Sequence, residues 1–119
     1  MREAIEEVLE VMREDYKRWH GQMLKDDGDT ESRRRIRDEM TEDYCTGLMV
    51  EENRRYWKIT SGRQSQRSVS GFIVKAGDKK FQEGDMLKAA GWAAPARNFA
   101  RGNVLDGRGV NEVRWTGIG

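Results

Sequence analysis

Apolar residues at Ile5, Val8, Leu9, Met12, Tyr16, Trp19 and Met23 recur at the three- and four-residue spacing of one helical face, which predicts an amphipathic helix over residues 2–24. Asp26, Asp27, Gly28 and Asp29 then break the pattern. Asp29 or Thr30 can cap a second helix over residues 31–46, with Glu31 in its acidic first turn. Its apolar stripe is thin, namely Ile36, Met40 and Tyr44. So narrow an edge gains little from packing inside a small domain, which points to a surface shared with another subunit.

Beyond residue 46 the period shortens. Leu48–Val50 and Tyr56–Thr60 read as short strands, and Arg67–Val74 completes a hairpin across a polar loop at Ser61–Gln66. Gly77 and Asp78 mark a turn, and Gln82–Gly91 reads as a short helix ending at a glycine cap, stopped by Ala93, Ala94 and Pro95. Residues 96–103 form a loop or single helical turn, and Asp106–Gly109 turns the chain into a last strand over Glu112–Ile118. The expected fold class is α+β: two N-terminal helices followed by a small antiparallel sheet with one short helix. A single domain over residues 1–119 divides into a helical oligomerisation segment, 1–46, and a sheet and ligand-binding segment, 47–119.

Charge changes this picture. The 22 basic and 21 acidic residues nearly cancel, but residues 1–60 carry a net −4 and residues 61–119 a net +5. Ten of the 13 glycines and the only proline fall in the basic half, where they signal turns and close backbone approaches. One cysteine, Cys45, excludes an internal disulfide, and a single histidine, His20, excludes a multi-histidine metal site. The lone cysteine makes a reducing cytosol the expectation, and no membrane span is expected, since no apolar run approaches the roughly 18 residues that mark a spanning helix.

Cations, amides and aromatic rings alternate in Trp92, Pro95, Arg97, Asn98, Phe99, Arg101, Gly102 and Asn103. Arginine grips phosphate with forked donors, an aromatic ring stacks on a base, and asparagine reads a base edge or ribose. These are the parts of a nucleotide pocket. The competing reading makes Phe99 and Trp92 core, the arginines solvated, and the glycines and asparagines turn residues. Arg67 and Phe72 in the hairpin join the site only if they meet this cluster in space. In the last strand Trp115 is expected inward and Arg114 outward.

Other features read as structural. The run Arg33, Arg34, Arg35 and Arg37 is balanced by Glu31, Asp38 and Glu39 across helical turns and reads as a solvated face rather than a nucleic-acid footprint. His20 lacks the setting of a catalyst. Phosphate-loop, dinucleotide-fingerprint, zinc-protease and nucleophile-elbow motifs are all absent from the sequence, so binding without turnover, and without a cofactor or metal, is the expectation.

The segments GDMLKAAGW (84–92), APARNFARGN (94–103) and VRWTGI (113–118), with weaker support from RSVSGFIVK (67–75), resemble a phage and prophage family. That family is the phage-encoded anti-Thoeris proteins, which act as sponges for a cyclic ADP-ribose isomer. The resemblance covers roughly the last half of the chain. It implies a homo-oligomer built from dimers in the host bacterial cytoplasm, with a nucleotide pocket between subunits. It also implies no catalysis: the protein would bind the signal made by a bacterial TIR-domain enzyme so that the effector is never switched on. Some members also resemble cyclic-oligonucleotide binders through a separate site in a higher oligomer. Carried onto this chain, the matching positions are Arg97, Asn98, Phe99, Arg101 and Asn103, with Phe72, Arg67 and Arg114 as weaker candidates. For the ligand that the resemblance implies, Arg97 and Arg101, four apart, would share a face on a helical turn and clamp a pyrophosphate, with Phe72, Trp92 or a partner's aromatic as the adenine platform and Phe99 buried as an anchor. Rival readings are a small nucleic-acid-binding phage regulator, a phosphodiesterase that degrades a cyclic nucleotide signal, and a phage module that engages a host protein without a small ligand.

Overall fold

A computed structural model of the chain describes residues 1–23, 31–63 and 66–119. Two helices lead, α1 (Arg2–Met23) and α2 (Glu31–Gly47). Four strands follow: β1 (Met49–Glu52), β2 (Tyr56–Arg63), β3 (Gln66–Val74) and the two-residue β4 (Met86–Leu87). They form one antiparallel sheet in chain order, so every neighbour is reached by a turn or loop and no crossover is needed. The protein is α+β.

Strand alternation divides the sheet into two faces. Ile59, Ile73 and Met86 point to the side covered by Ile5, Val8, Leu9 and Met12 of α1. Tyr56, Phe72, Val74 and Leu87 point to the other side, where Phe81 and the following loop close a smaller core. The sheet is thus sandwiched between a helix and an irregular loop layer, and it is the loop layer that carries most of the residues singled out for chemistry.

At Ile59/Thr60 the β2–β3 register shifts, leaving Ser70 as the extra residue. Its freed carbonyl accepts the Ile118 amide at 2.8 Å. Ile118 then lies over Gly71, where a Cβ would come within 2.6 Å of its Cδ1. The end of the described chain is therefore stitched to the middle of the sheet. It is also stitched to α1, because the Asp15 carboxylate accepts the Trp115 amide at 2.9 Å.

Several expectations hold and two fail. The α1 and α2 spans, the β1–β2 and β2–β3 pairings and the turn at Gly77–Asp78 are as the pattern predicts, although β2 and β3 extend into the segment read as a polar loop. The helix expected over 82–91 does not form. Gly84 adopts φ +90°, the Asp85 carboxylate accepts the Gln82 amide, and Met86–Leu87 pairs with Phe72–Ile73, so tertiary pairing overrides a run of helix formers. The last strand over 112–118 is replaced by a 3-10 turn, Val110–Glu112, and a tight turn in which Arg114 and Gly117 exchange backbone hydrogen bonds with Gly117 at φ +129°. The capping residues Asp29 and Thr30 and the side chains of His20, Arg33, Arg34 and Arg37 lie outside what is described, while Arg35 is exposed.

Candidate functional site

Two turns meet at one end of the sheet. The β1–β2 turn, closed by the Asn53 amide on the Tyr56 carbonyl, carries Arg54 and Arg55, and the Lys75 amide bonds the Arg55 carbonyl at 3.0 Å to bring the turn after β3 alongside. Asp78 in that second turn accepts the amides of Lys80 and Phe81 and two hydrogen bonds from Arg97. Its side chain is 4% exposed. Arg97 also donates to the Tyr56 hydroxyl at 2.5 Å and stacks over Phe81, while Lys80 Nζ donates to the Arg97 carbonyl. These donors, led by the Arg97 guanidinium, hold the Asp78 carboxyl well below the usual carboxylate range against the opposing effect of burial. The hydrogen bond to Asp78 raises Arg97 in turn. A cleft of about 450 Å³ opens here, lined by Arg54, Arg55, Lys75, Lys79, Lys80 and Arg97 with Asp78 as its one carboxylate.

From β4 the chain arches across the second face of the sheet. Ala96 bonds the Lys88 carbonyl, Ala90 and Gly91 both bond the Ala94 carbonyl, and Pro95 is buried opposite Ala89. At the tip of this arch Trp92 is 54% exposed, with the Nζ of the buried Lys58 3.8 Å from its ring centroid. Phe99 is 55% exposed, with the Arg101 guanidinium 3.8 Å over its ring. Asn98 Oδ1 accepts the Phe99 amide at 3.0 Å and Arg101 Nη2 at 3.4 Å, making Asn98, Phe99 and Arg101 one surface group. Arg101 Nε is buried and bonded to nothing among the described residues.

Residues 97–101 are not helical, so Arg97 and Arg101 do not share a helical face: one is turned to Asp78, the other to Phe99. Phe99 is exposed rather than a buried anchor, and Trp92 is exposed rather than core. Phe72 is fully buried in the smaller core against Tyr56, which removes it as a stacking platform in this arrangement. Asn103 is buried too. Its amide donates to the Glu83 carbonyl and the Asp85 carboxylate and accepts the Leu105 amide, which orders the segment around β4. Arg67 ties α2 to the hairpin through the Gly47 and Gly62 carbonyls and the Thr60 hydroxyl. Arg114 is exposed and pairs with Asp15 in the second half of α1 at 3.4 Å. Of the eight residues marked for ligand binding, Asn98, Phe99 and Arg101 come together, Arg97 adjoins them at the basic cleft, and the other four serve the fold or lie elsewhere.

The chain matches, over residues 1–118, a family of unknown function, DUF7717. The chain belongs to DUF7717. No curated protein and no solved structure matches it significantly.

The DUF7717 chain also holds an aromatic group that spacing along the sequence does not show. Tyr16 of α1 stacks on Tyr44 of α2 at 4.3 Å, and Trp115 stands edge-on to both. The Tyr44 hydroxyl donates to the Trp115 carbonyl at 2.7 Å, and burial pushes its ionisation above the ordinary tyrosine range. Although no strand forms at 112–118 to set alternate faces, Trp115 is half-buried in this group and Arg114 is exposed. Among the described residues no group of histidine, cysteine, aspartate or glutamate is arranged to hold a metal ion, and no helix is long and apolar enough to cross a membrane.

Proposed function

We propose that this protein is a non-catalytic binder that sequesters a nucleotide signal, a cyclic ADP-ribose isomer, in the host bacterial cytoplasm and so keeps a TIR-based anti-phage defence from firing. The observation that carries this reading is the exposed group on the loop layer in which the Phe99 ring is faced by the Arg101 guanidinium and Asn98 Oδ1 accepts from both residues, with a second exposed ring, Trp92, faced by Lys58. An exposed ring offers a base a stacking surface, a guanidinium beside it offers phosphate a charged donor, and an amide offers directional hydrogen bonds. The segments that carry the resemblance to the anti-Thoeris sponges, 84–92 and 94–103, are the ones that build this surface.

Binding rather than turnover is supported by the state of the nearby carboxylates. Asp78 is held by Arg97 and two backbone amides, and Asp85 by Asn103 and the Gln82 amide, so each is engaged in holding the fold. A homo-oligomer completing the pocket across subunits is supported by α2, whose Ile36 and Met40 are 57% and 47% exposed. A sponge must outcompete the effector, which calls for nanomolar affinity, roughly −12 kcal/mol, with slow release.

Calorimetric titration with cyclic ADP-ribose isomers, then heat release and mass spectrometry of the supernatant, tests the reading. Tight binding with intact ligand recovered supports it. Ligand recovered as fragments makes the protein a phosphodiesterase, and no binding overturns the nucleotide reading.

A further inference from the structure

The cleft between the two turns has a composition that the fold itself does not need. Six basic side chains line it, Arg54, Arg55, Lys75, Lys79, Lys80 and Arg97, against the single carboxylate of Asp78. That carboxylate is engaged by Arg97 and, at 3.5 Å, by Arg55. Lys75 is paired with Glu52 at 3.0 Å, and Lys80 is turned to the Arg97 carbonyl. Arg54 and Lys79 face the cleft with no carboxylate partner among the described residues. In a chain whose whole net charge is only +1, this is a local concentration of positive charge whose mutual repulsion an anion would relieve.

We infer that the cleft is a binding site for a compact polyanion of the pyrophosphate class, that is, a small molecule carrying at least two linked phosphates. The inference does not rest on the nucleotide reading of the Trp92–Phe99 surface. Asp78 fixes Arg97 as one wall, and the backbone hydrogen bond from Lys75 to Arg55 fixes the two turns relative to each other, so Arg97 and the backbone that carries Arg54 and Lys79 are in place before a ligand arrives. A volume of about 450 Å³ suits a linked pair of phosphates with a small substituent. An extended phosphodiester chain fits less well: leaving the cleft along β1, it would run over the exposed Glu51 and Glu52.

The probe is inorganic pyrophosphate, titrated calorimetrically into the full chain at low ionic strength. The comparison is with the double variant Arg54→Ala/Lys79→Ala and with Arg108→Ala, which removes an exposed cation elsewhere. Both cleft residues are exposed and without an ion-pair partner among the described residues, so the double variant should keep the fold, as its circular dichroism and melting would confirm. Wild type and Arg108→Ala are expected to bind one pyrophosphate per chain, and more tightly than orthophosphate. The double variant is expected to bind about a hundredfold more weakly, roughly tenfold for each charge-assisted contact removed. Equal binding by the folded double variant, or none by wild type, would overturn the inference. So would tight, steeply salt-dependent binding of duplex DNA that pyrophosphate fails to displace, which would make the cleft part of a nucleic-acid surface.

Discussion

Asp78 holds Arg97 through two parallel hydrogen bonds, 2.9 Å from Nη2 to Oδ1 and 3.1 Å from Nη1 to Oδ2. Through that one guanidinium the turn after β3 is fastened to the loop that presents Asn98, Phe99 and Arg101. The carboxylate is 4% exposed and the guanidinium 32%, so removing Asp78 breaks both of these bonds and also leaves the Lys80 and Phe81 amides without their acceptor. Asp78→Ala is expected to lower the unfolding free energy by about 3 kcal/mol, measured by urea denaturation. A loss below about 0.5 kcal/mol would mean that the loop is anchored elsewhere.

The same pair sets a pH dependence. The folded Asp78 carboxyl titrates well below its unfolded value of about 3.9, so its contribution is fully present above that value and is lost as pH falls through the folded one. The stability difference between wild type and Asp78→Asn should be constant from pH 7 down to about 5 and should shrink as pH falls below about 4. Urea melts of the two proteins across that range give the answer; a difference that grows in acid would contradict it.

Side chains near the proposed nucleotide surface should separate by role. Phe99→Ala is expected to melt near wild type, because its ring is exposed, and Phe99→Ala and Arg101→Ala are each expected to weaken nucleotide binding by about tenfold or more. Phe72→Ala is expected to cost about 4 kcal/mol in stability, because its ring is fully buried in the smaller core. If Phe99→Ala melts as low as Phe72→Ala, Phe99 is structural.

The exposed edge of α2 predicts assembly. Met40→Glu, alone or with Ile36→Glu, is expected to leave helix content unchanged and to shift the protein to a lower mass in light scattering coupled to size exclusion. An unchanged mass would place any subunit interface away from this helix.

Legibility in the sequence followed the length of the periodic signal. The stripe from Ile5 to Tyr16 repeats over several turns and fixes both the helix and its buried face, whereas Arg67–Val74 reads as a strand but runs buried from Ser70 to Val74, because both faces of the sheet are covered there. The stretch 82–91 misled because its local preference is helical, while Gly84 and the pairing of Met86–Leu87 with β3 act through tertiary contacts. Arg97 stands out by its chemistry, but its partner lies 19 residues away in a turn where Asp78 reads only as a turn former. Arg54 and Lys79, which complete the cleft, belong to two separate turns that no periodicity links.

The strap formed by Trp115 and Ile118 bears on the order in which the molecule is made. Asp15 waits for a partner 100 residues downstream, and the notch at Gly71 is filled only by Ile118. During synthesis the helices and the β2–β3 hairpin leave the ribosome first, yet Tyr16, Tyr44 and the bulge at Ser70 stay uncovered until this segment follows. Closure of the aromatic group is thereby a late, non-local step of folding. A nascent chain halted before residue 115 would expose an apolar seam between helix and sheet, the kind of surface that chaperones bind.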